Sequence, residues 1–282
     1  MVEKKCNFCN GNLKFIYDND KSLEDHIYFE VGICEKCDLK QLGNFNHINN
    51  EFYSTNTNLP DDFYEERKRQ HSWNDDRLRL LDRYIGYLWT RDVLDYGSGC
   101  GAFLESGKTF FDSIDGFDIS ENACKLNNND NLKCYNKIDD LKDDYDFITL
   151  FHVLEHVKEP VKFLKDIVNN FKNTDLFIVE VPNTDEALVT LFNNENYLKN
   201  HYCLDHLWYF TEDTLKMILK ESGLKVLVST QIQRYPITNH FKWLSDKNEI
   251  NFGMFEKLND IYKEKLIENK IADSLFMICE RL

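Results

Sequence analysis

Four cysteines, a run of glycines and a set of histidines beside acids are the residues here whose types and spacing could do chemistry. Cys6 and Cys9, then Cys34 and Cys37, form two C-x2-C pairs separated by 24 residues. Each pair turns two thiolates toward one point, and two pairs complete a tetrahedron of sulfurs suited to zinc. With no open position, such an ion would be structural. In "VLDYGSGCGAF", residues 93–103, an apolar run breaks into Gly97-Ser98-Gly99-Cys100-Gly101. Glycines there let the backbone approach a ligand and expose N–H groups at a helix N-terminus. The loop also satisfies the dinucleotide pattern G-x-G-x-x-A through Ala102. Asp95 ends the strand before the loop, where a carboxylate could accept from an ammonium or from loop amides. Asp118, in "IDGFDIS", ends the next strand, where a carboxylate would meet ribose hydroxyls.

The candidate histidines and their neighbours fall in three places. His152, Glu155 and His156 follow the apolar run "YDFITLF" at i, i+3 and i+4, so one helical turn aims them together. Asn183, His201, Asp205 and His206 follow the next strand. "QIQRYPITNHFKWL", residues 231–244, holds Arg234, Tyr235, Asn239, His240 and Trp243. These could bind a sugar by hydrogen bonds plus an aromatic face, or clamp a phosphate with Arg234. A solvated hairpin with one buried Trp is the plainer reading of that stretch.

The elements that must position these groups read as an alternation. Strands are expected at 92–96, 114–118, 132–135, 145–151, 175–181, 224–232 and 272–280. Helices are expected at 101–110, 120–127, 153–157, 160–172, 184–198, 212–222 and 254–269, with Pro160 opening one and Gly223 closing another. Such alternation argues for a parallel sheet with helices on both faces. A preceding helical pattern puts Leu81, Tyr84, Ile85 and Leu88 on one face. Between Cys9 and Cys34 the chain alternates like a hairpin. The 282 residues carry 34 Lys and Arg against 49 Asp and Glu, a net charge of −15. That balance argues against gripping nucleic acid or anionic membranes. With no apolar leader and no run long enough for a membrane span, the expected location is cytoplasmic, where nine cysteines favour metal over disulfides.

With these pieces in order, "VLDYGSGCG", "GFDIS", "YDFITLFHVLEHVKEP", "IVEVPN" and "HLWYFTEDTLKMILKESGLKV", the chain resembles the class I S-adenosylmethionine-dependent methyltransferases over about residues 90–232. The resemblance implies an α/β fold: a Rossmann-like seven-stranded sheet with an antiparallel last strand at 272–280. It implies that Asp95, Gly97, Ser98, Gly99 and Gly101 wrap the methionine part of the donor and that Asp118 holds the ribose. Ile119 would pack on the adenine, with Ile138 and Asp139 at its edge. Phe151 and His152 would lie beside the donor. A four-cysteine zinc-ribbon-like module ahead of such a domain looks like the deoxysugar C-methyltransferases. Tyr53-Ser54 and Asp205-His206 before "LWYF" match that group, whose histidine is the base. The long domain that group carries after the core is not matched, and Leu204 stands where a second histidine is usual, so the resemblance to that group is carried by the cysteine module and Asp205-His206 and does not by itself imply reaction at carbon. The ubiquinone-type O-methyltransferases resemble the 152–156 turn, with Glu-x-x-Glu-His and a divalent metal. Here His152 stands in for the first Glu.

The resulting expectation is a zinc module at 1–42, a linker and helical lid at 43–90, and a methyltransferase domain at 91–282 with an insertion at 233–271. The cofactors would be S-adenosylmethionine and one structural zinc. The acceptor would be a small polar molecule, a sugar or nucleotide-linked sugar of surface-polysaccharide synthesis, methylated on oxygen or carbon, with no nucleic acid or membrane partner. His206 would act as base, because a histidine of ordinary pKa suits that task at neutral pH, and Asp205 would orient it. Acceptor contacts would come from Tyr53, Glu155, His156, Asn183, His201, Arg234, Tyr235, Asn239 and His240. The competing readings are a dinucleotide-dependent oxidoreductase and a non-catalytic module that keeps the fold.

Overall fold

The alternating stretch around the cysteine pairs folds as a small antiparallel sheet. In the computed structural model, which describes residues 4–19, 27–47, 63–245 and 255–282, β1 (Leu13–Asp18) pairs with β2 (Glu30–Cys34), and β2 with β3 (Lys40–Leu42). A long helix, α1 (Phe63–Tyr84), leads into β4 (Asp92–Tyr96). The chain then runs α2 (Ala102–Gly107), β5 (Ser113–Phe117), α3 (Glu121–Asn129), β6 (Cys134–Tyr135), β7 (Phe147–Phe151), α4 (Pro160–Asn170) and β8 (Leu176–Pro182). After α5 (Ala187–Thr190) and α6 (Glu195–His201) come β9 (Trp208–Tyr209), α7 (Glu212–Glu221), β10 (Leu224–Ile232), α8 (Ile237–Leu244), α9 (Glu256–Glu268) and β11 (Ser274–Arg281).

Seven of these strands form one sheet in the order β10-β11-β8-β7-β4-β5-β6. β4 pairs in parallel with β5 and β7, β5 with β6, and β7 with β8, while β11 runs antiparallel to β8 and β10. Successive residues of one strand point to opposite faces, and both faces are covered. Along β11, Leu275, Met277 and Cys279 join the core shared with α4 and α7, whereas Phe276 and Ile278 join the core under α1 and α2. Caps place the helices. Ser120 accepts from Ala123 N–H at the start of α3, and Pro160 occupies the first turn of α4. Gly223, at φ 83°, follows α7.

Three local expectations are corrected. The helix expected over 184–198 is two helices, broken at Asn193 (φ 41°), with Asn194 capping the second through Tyr197 N–H. The stretch 231–244 is no hairpin: after β10 it turns into α8, whose buried His240 faces α9. Tyr84 is exposed, because α1 buries Leu78 and Leu81 and ends at Tyr84 itself. The four-stranded sheet also holds an element the sequence does not announce. β9 pairs antiparallel with β3, so the cysteine-bearing sheet is hydrogen-bonded to the body of the molecule.

Candidate functional site

The carboxyl ends of β4, β5, β6 and β7 make one edge, and the glycine loop lies along it. The loop is bent by Gly97 (φ 86°), Gly99 (φ 49°) and Gly101 (φ 75°). Two of these glycines are required by neighbours. A Cβ on Gly97 would stand 2.4 Å from Val153 Cγ2, and one on Gly101 would stand 2.2 Å from Asn127 Oδ1. A Cβ on Gly99 would meet nothing within 4 Å. The loop is therefore packed from below and bare above. Asp118 accepts from Gly99 N–H and Ser120 N–H, each at 2.8 Å, which fixes the carboxylate at the rim. Burial raises its pKa, opposed by those two amides. Beyond it Ile119 is exposed, and Ile138 and Asp139 form an exposed short turn after β6. Asp95 is buried, accepts from Thr149 Oγ1 at 2.7 Å, and has its pKa raised to about 6 by burial. Ser98 departs from expectation. Its hydroxyl turns inward to Cys134 Sγ at 3.4 Å, and its N–H donates to the Phe117 carbonyl.

The next strand end is built from charge. His152 has a left-handed backbone (φ 56°) directly after β7, and Val153 beside it touches the glycine loop. A non-glycine residue in that region is strained, and such strain clusters at functional sites. His152 Nδ1 lies 3.2 Å from Glu155 Oε1. Its Nε2 lies 3.0 Å from Glu180 Oε1 and 3.0 Å from Arg234 Nη1. Glu180 is fully buried in β8 and held in a bidentate pair by Arg77 of α1, at 2.7 and 3.1 Å. Burial alone would raise the Glu180 pKa, but Arg77 and His152 outweigh it and keep the carboxylate ionised. Arg234 donates through Nε to Asp273 Oδ1 at 3.0 Å and lies over the rings of Trp73 and Tyr235. Phe151, expected beside the donor, packs between Phe103 and Phe276 with Arg77 over its face.

The second histidine group converges one step away. Glu155 is buried. Burial would raise its pKa, but the hydrogen bond from His152 and the charge of His156 bring it down to about 2. Its Oε2 is buried and meets no hydrogen-bond partner among the described residues. Ligand atoms of Glu155, His156 and His206 all lie within 4.8 Å of one another. The triad that converges is thus Glu155, His156 and His206, in place of the expected His152, Glu155 and His156, because His152 is drawn to Glu180 and Arg234. His206 packs edge-on to His156 at 4.9 Å. Burial, then repulsion from His156, lowers its pKa to about 3. His156 Nδ1 lies 2.7 Å from the main-chain oxygen of Asp205, so Asp205 serves this turn through its backbone.

Three other expected acceptor residues, Asn183, His240 and His201, are engaged in holding the fold. The Asn183 side chain accepts from Asp185 N–H and donates to the Ala272 carbonyl, and is buried. His240 is buried against the Tyr262 hydroxyl at 2.7 Å. Asn239 sits half-buried in α8. His201 is buried beside Glu186, with Tyr197, Tyr202 and Tyr209 around its ring. Tyr53 lies outside the described residues. Sequence reasoning missed Trp73, Arg77, Glu180 and Asp273. Glu180 carried a signal, as a carboxylate inside the apolar run "LFIVEV"; the other three carried none.

The four thiols of the small sheet also converge. Cys9 Sγ lies 3.4 Å from Cys34 Sγ and 3.3 Å from Cys37 Sγ, and Cys6 Sγ lies 3.9 Å from Cys37 Sγ. Thiolates each about 2.3 Å from a tetrahedral zinc stand about 3.8 Å apart, so the donor set fits that ion.

A family model described as a methyltransferase domain matches residues 65–229, more than half of the chain. A ubiquinone biosynthesis O-methyltransferase of Nitrosospira multiformis is 25% identical over 232 residues, covering 77% of this chain and 93% of its own. One from Acinetobacter baylyi is 27% identical over 214 residues, covering 68% and 87%. Among solved structures, magnesium protoporphyrin IX methyltransferase of Synechocystis, with bound SAH, has a TM-score of 0.52 at 12% identity, covering 82% of this chain and 97% of that one. The 1,6-didemethyltoxoflavin-N1-methyltransferase of Burkholderia thailandensis has a TM-score of 0.51 at 12% identity, covering 95% and 99%. These two likenesses concern the fold.

Proposed function

Because the chain belongs to the methyltransferase-domain family and so is an S-adenosylmethionine-dependent enzyme, we propose that it methylates a hydroxyl of a small polar acceptor, with His152 as the base. Family membership sets aside the dinucleotide reading of the glycine loop. The observation that carries the proposal is the turn at His152. Its backbone is strained, the side chain of the adjoining Val153 packs against Gly97, and the His152 ring is held between two buried carboxylates and an arginine.

S-adenosylmethionine, when bound, supplies a methyl group already activated on a sulfonium. The bare face at Gly99, the rim carboxylate of Asp118 and exposed Ile119 fit it. Positioning then accounts for most of the acceleration, and what remains is one proton. In the neutral form that acts as base, His152 keeps its proton on Nδ1, donating to Glu155, and Nε2 accepts from Arg234, while Arg77 by itself holds the Glu180 carboxylate. An acceptor hydroxyl reaching Nε2 exchanges with the Arg234 contact and gives up its proton there. The new Nε2–H donates to Glu180 Oε1, and the two carboxylates stabilise the imidazolium. Arg234 remains beside the acceptor oxygen. His206 sits where its surroundings disfavour protonation. With Glu155 and His156 it forms instead a donor set that fits a divalent cation, which when bound would polarise an acceptor oxygen. The four thiols are assigned one structural zinc.

The acceptor is argued on two observations. The charged lining of Arg234, His152 and Asp273 suits a sugar or nucleotide-linked sugar of surface-polysaccharide synthesis. The Trp73–Tyr235 ring pair, at 5.6 Å, and the relatives named as ubiquinone biosynthesis O-methyltransferases favour a phenol. The test incubates the enzyme with labelled methyl donor and separate panels of nucleotide sugars and polyhydroxylated aromatics. Label on an oxygen of either panel supports the proposal and selects the class. Label confined to nitrogen or carbon contradicts it.

A further inference from the structure

Residues 203–210 cross the molecule as a strap with both edges occupied. On one edge the cysteine-bearing sheet holds it. Lys40 pairs with Tyr209 and Gln41 with Trp208, Leu42 N–H donates to the Leu207 carbonyl at 3.0 Å, and His47 Nε2 lies 2.8 Å from the Leu204 carbonyl. Phe45 packs edge-on to Trp208 at 5.2 Å, and Tyr17 packs on Tyr202 at 4.7 Å. On the other edge the strap holds the acceptor side of the site. Leu207 N–H donates to the Glu155 carbonyl at 2.8 Å, Trp208 Nε1 donates to the Val157 carbonyl at 2.7 Å, and His156 Nδ1 lies 2.7 Å from the Asp205 carbonyl.

Only two residues of this strap are strand, and an isolated pair of that length has no stability of its own. Its partner β3 has three residues and begins three positions after Cys37. A sheet this small needs a metal or a larger body to hold it. The donor loop is held from elsewhere: Arg67 Nε donates to the Cys100 carbonyl, Asn127 Nδ2 to the Gly99 carbonyl, and Gly97 and Ser98 N–H to the Phe117 carbonyl.

We propose that metal loading of Cys6, Cys9, Cys34 and Cys37 positions the acceptor half of the site. Through β3 and the strap, the metal sets the place of His206 and of the Glu155–His156 turn, while the donor loop stays formed without it. The metal class is a soft, tetrahedral divalent ion such as zinc. Gln41, Leu42 and His47 are then positioning residues, acting through the strap. The proposal rests on the methyl-transfer reading for its functional consequence but not for its structural one.

The test uses the full chain as purified, with zinc content measured, then stripped with a chelator and reloaded. Hydrogen exchange is followed in peptides spanning 203–210 and 93–101, and S-adenosylhomocysteine binding is followed by calorimetry. Stripping is expected to speed exchange in 203–210 by about tenfold or more, leave 93–101 protected, shift the S-adenosylhomocysteine Kd less than about twofold, and be reversed by zinc. Unchanged exchange in 203–210, exchange rising equally in 93–101, or a protein that takes up no zinc overturns the proposal. His47→Ala covers the case in which metal loss unfolds the small sheet outright. With zinc retained, it speeds exchange at 203–207 if that sheet holds the strap, and leaves it unchanged if not. Loss of the methyl-transfer reading would show separately, as absent S-adenosylhomocysteine binding with the zinc response of the strap intact.

Discussion

The proposed donor half and the proposed acceptor half of the site share one edge of one sheet but are made of different material. The donor half is backbone: glycines bent through positive φ, amides turned on Asp118, and a bare face at Gly99. The proposed acceptor half is a network of side chains in which Arg77, His152, Glu180, Arg234 and Asp273 come from α1, the turn after β7, β8, the turn after β10 and the residue before β11. A backbone site follows from local spacing. A charged network needs distant segments to arrive together, and each buried charge depends on its partner.

The predictions probe that division, beginning with the largest effect. His152→Ala should lower kcat by about 10²- to 10⁴-fold while the S-adenosylhomocysteine Kd stays within about twofold. Steady-state kinetics beside calorimetry checks this, and donor affinity falling in parallel would break the division. Next, Arg77→Met strands the fully buried Glu180 carboxylate and should cost about 3–5 kcal/mol in urea unfolding, with Arg77→Met/Glu180→Met recovering most of it. A double variant no better than the single one would show that the pair does not act as a unit.

A smaller, pH-dependent effect is expected at Asp95. Its folded pKa is raised from 3.8 to about 6, so the fold prefers the protonated form. Relative stability is lost as pH rises from about 4 through 6, by at most about 3 kcal/mol. Asp95→Asn should therefore raise Tm above pH 6 and change it little near pH 4, while weakening donor binding. A gain in Tm at pH 4 that vanishes at pH 7 would reverse the assigned sign. Least of all, Lys225→Ala removes an exposed pair with Glu280 and should change stability by under about 1 kcal/mol, as a control far from both halves.

What was legible follows the same division. The strand expected at 92–96 is β4 to the residue, and the one expected at 224–232 is β10, because apolar runs ended by glycine or polar turns carry their own limits. The glycine loop after β4, Asp95 within β4 and Asp118 after β5 were placed for the same reason, and their part in holding the donor is the proposal. Glu180 and Arg77 were not, because 103 positions separate them and neither stretch indicates its partner. His206 was legible as a candidate histidine but not as a member of a triad with Glu155 and His156, which depends on how the strap crosses the turn. β9 has two residues and exists as a strand through its pairing with β3, so no periodicity could announce it.

The claim beneath all of this is that the rim carboxylate of Asp118 and the bare loop beside it hold the methyl donor. Calorimetric titration of S-adenosylhomocysteine into the native protein and into Asp118→Ala tests it most directly. Losing hydrogen bonds to a charged group predicts an affinity about 10- to 100-fold weaker in the variant. Equal affinity in the two proteins, with the variant folded, would contradict the account.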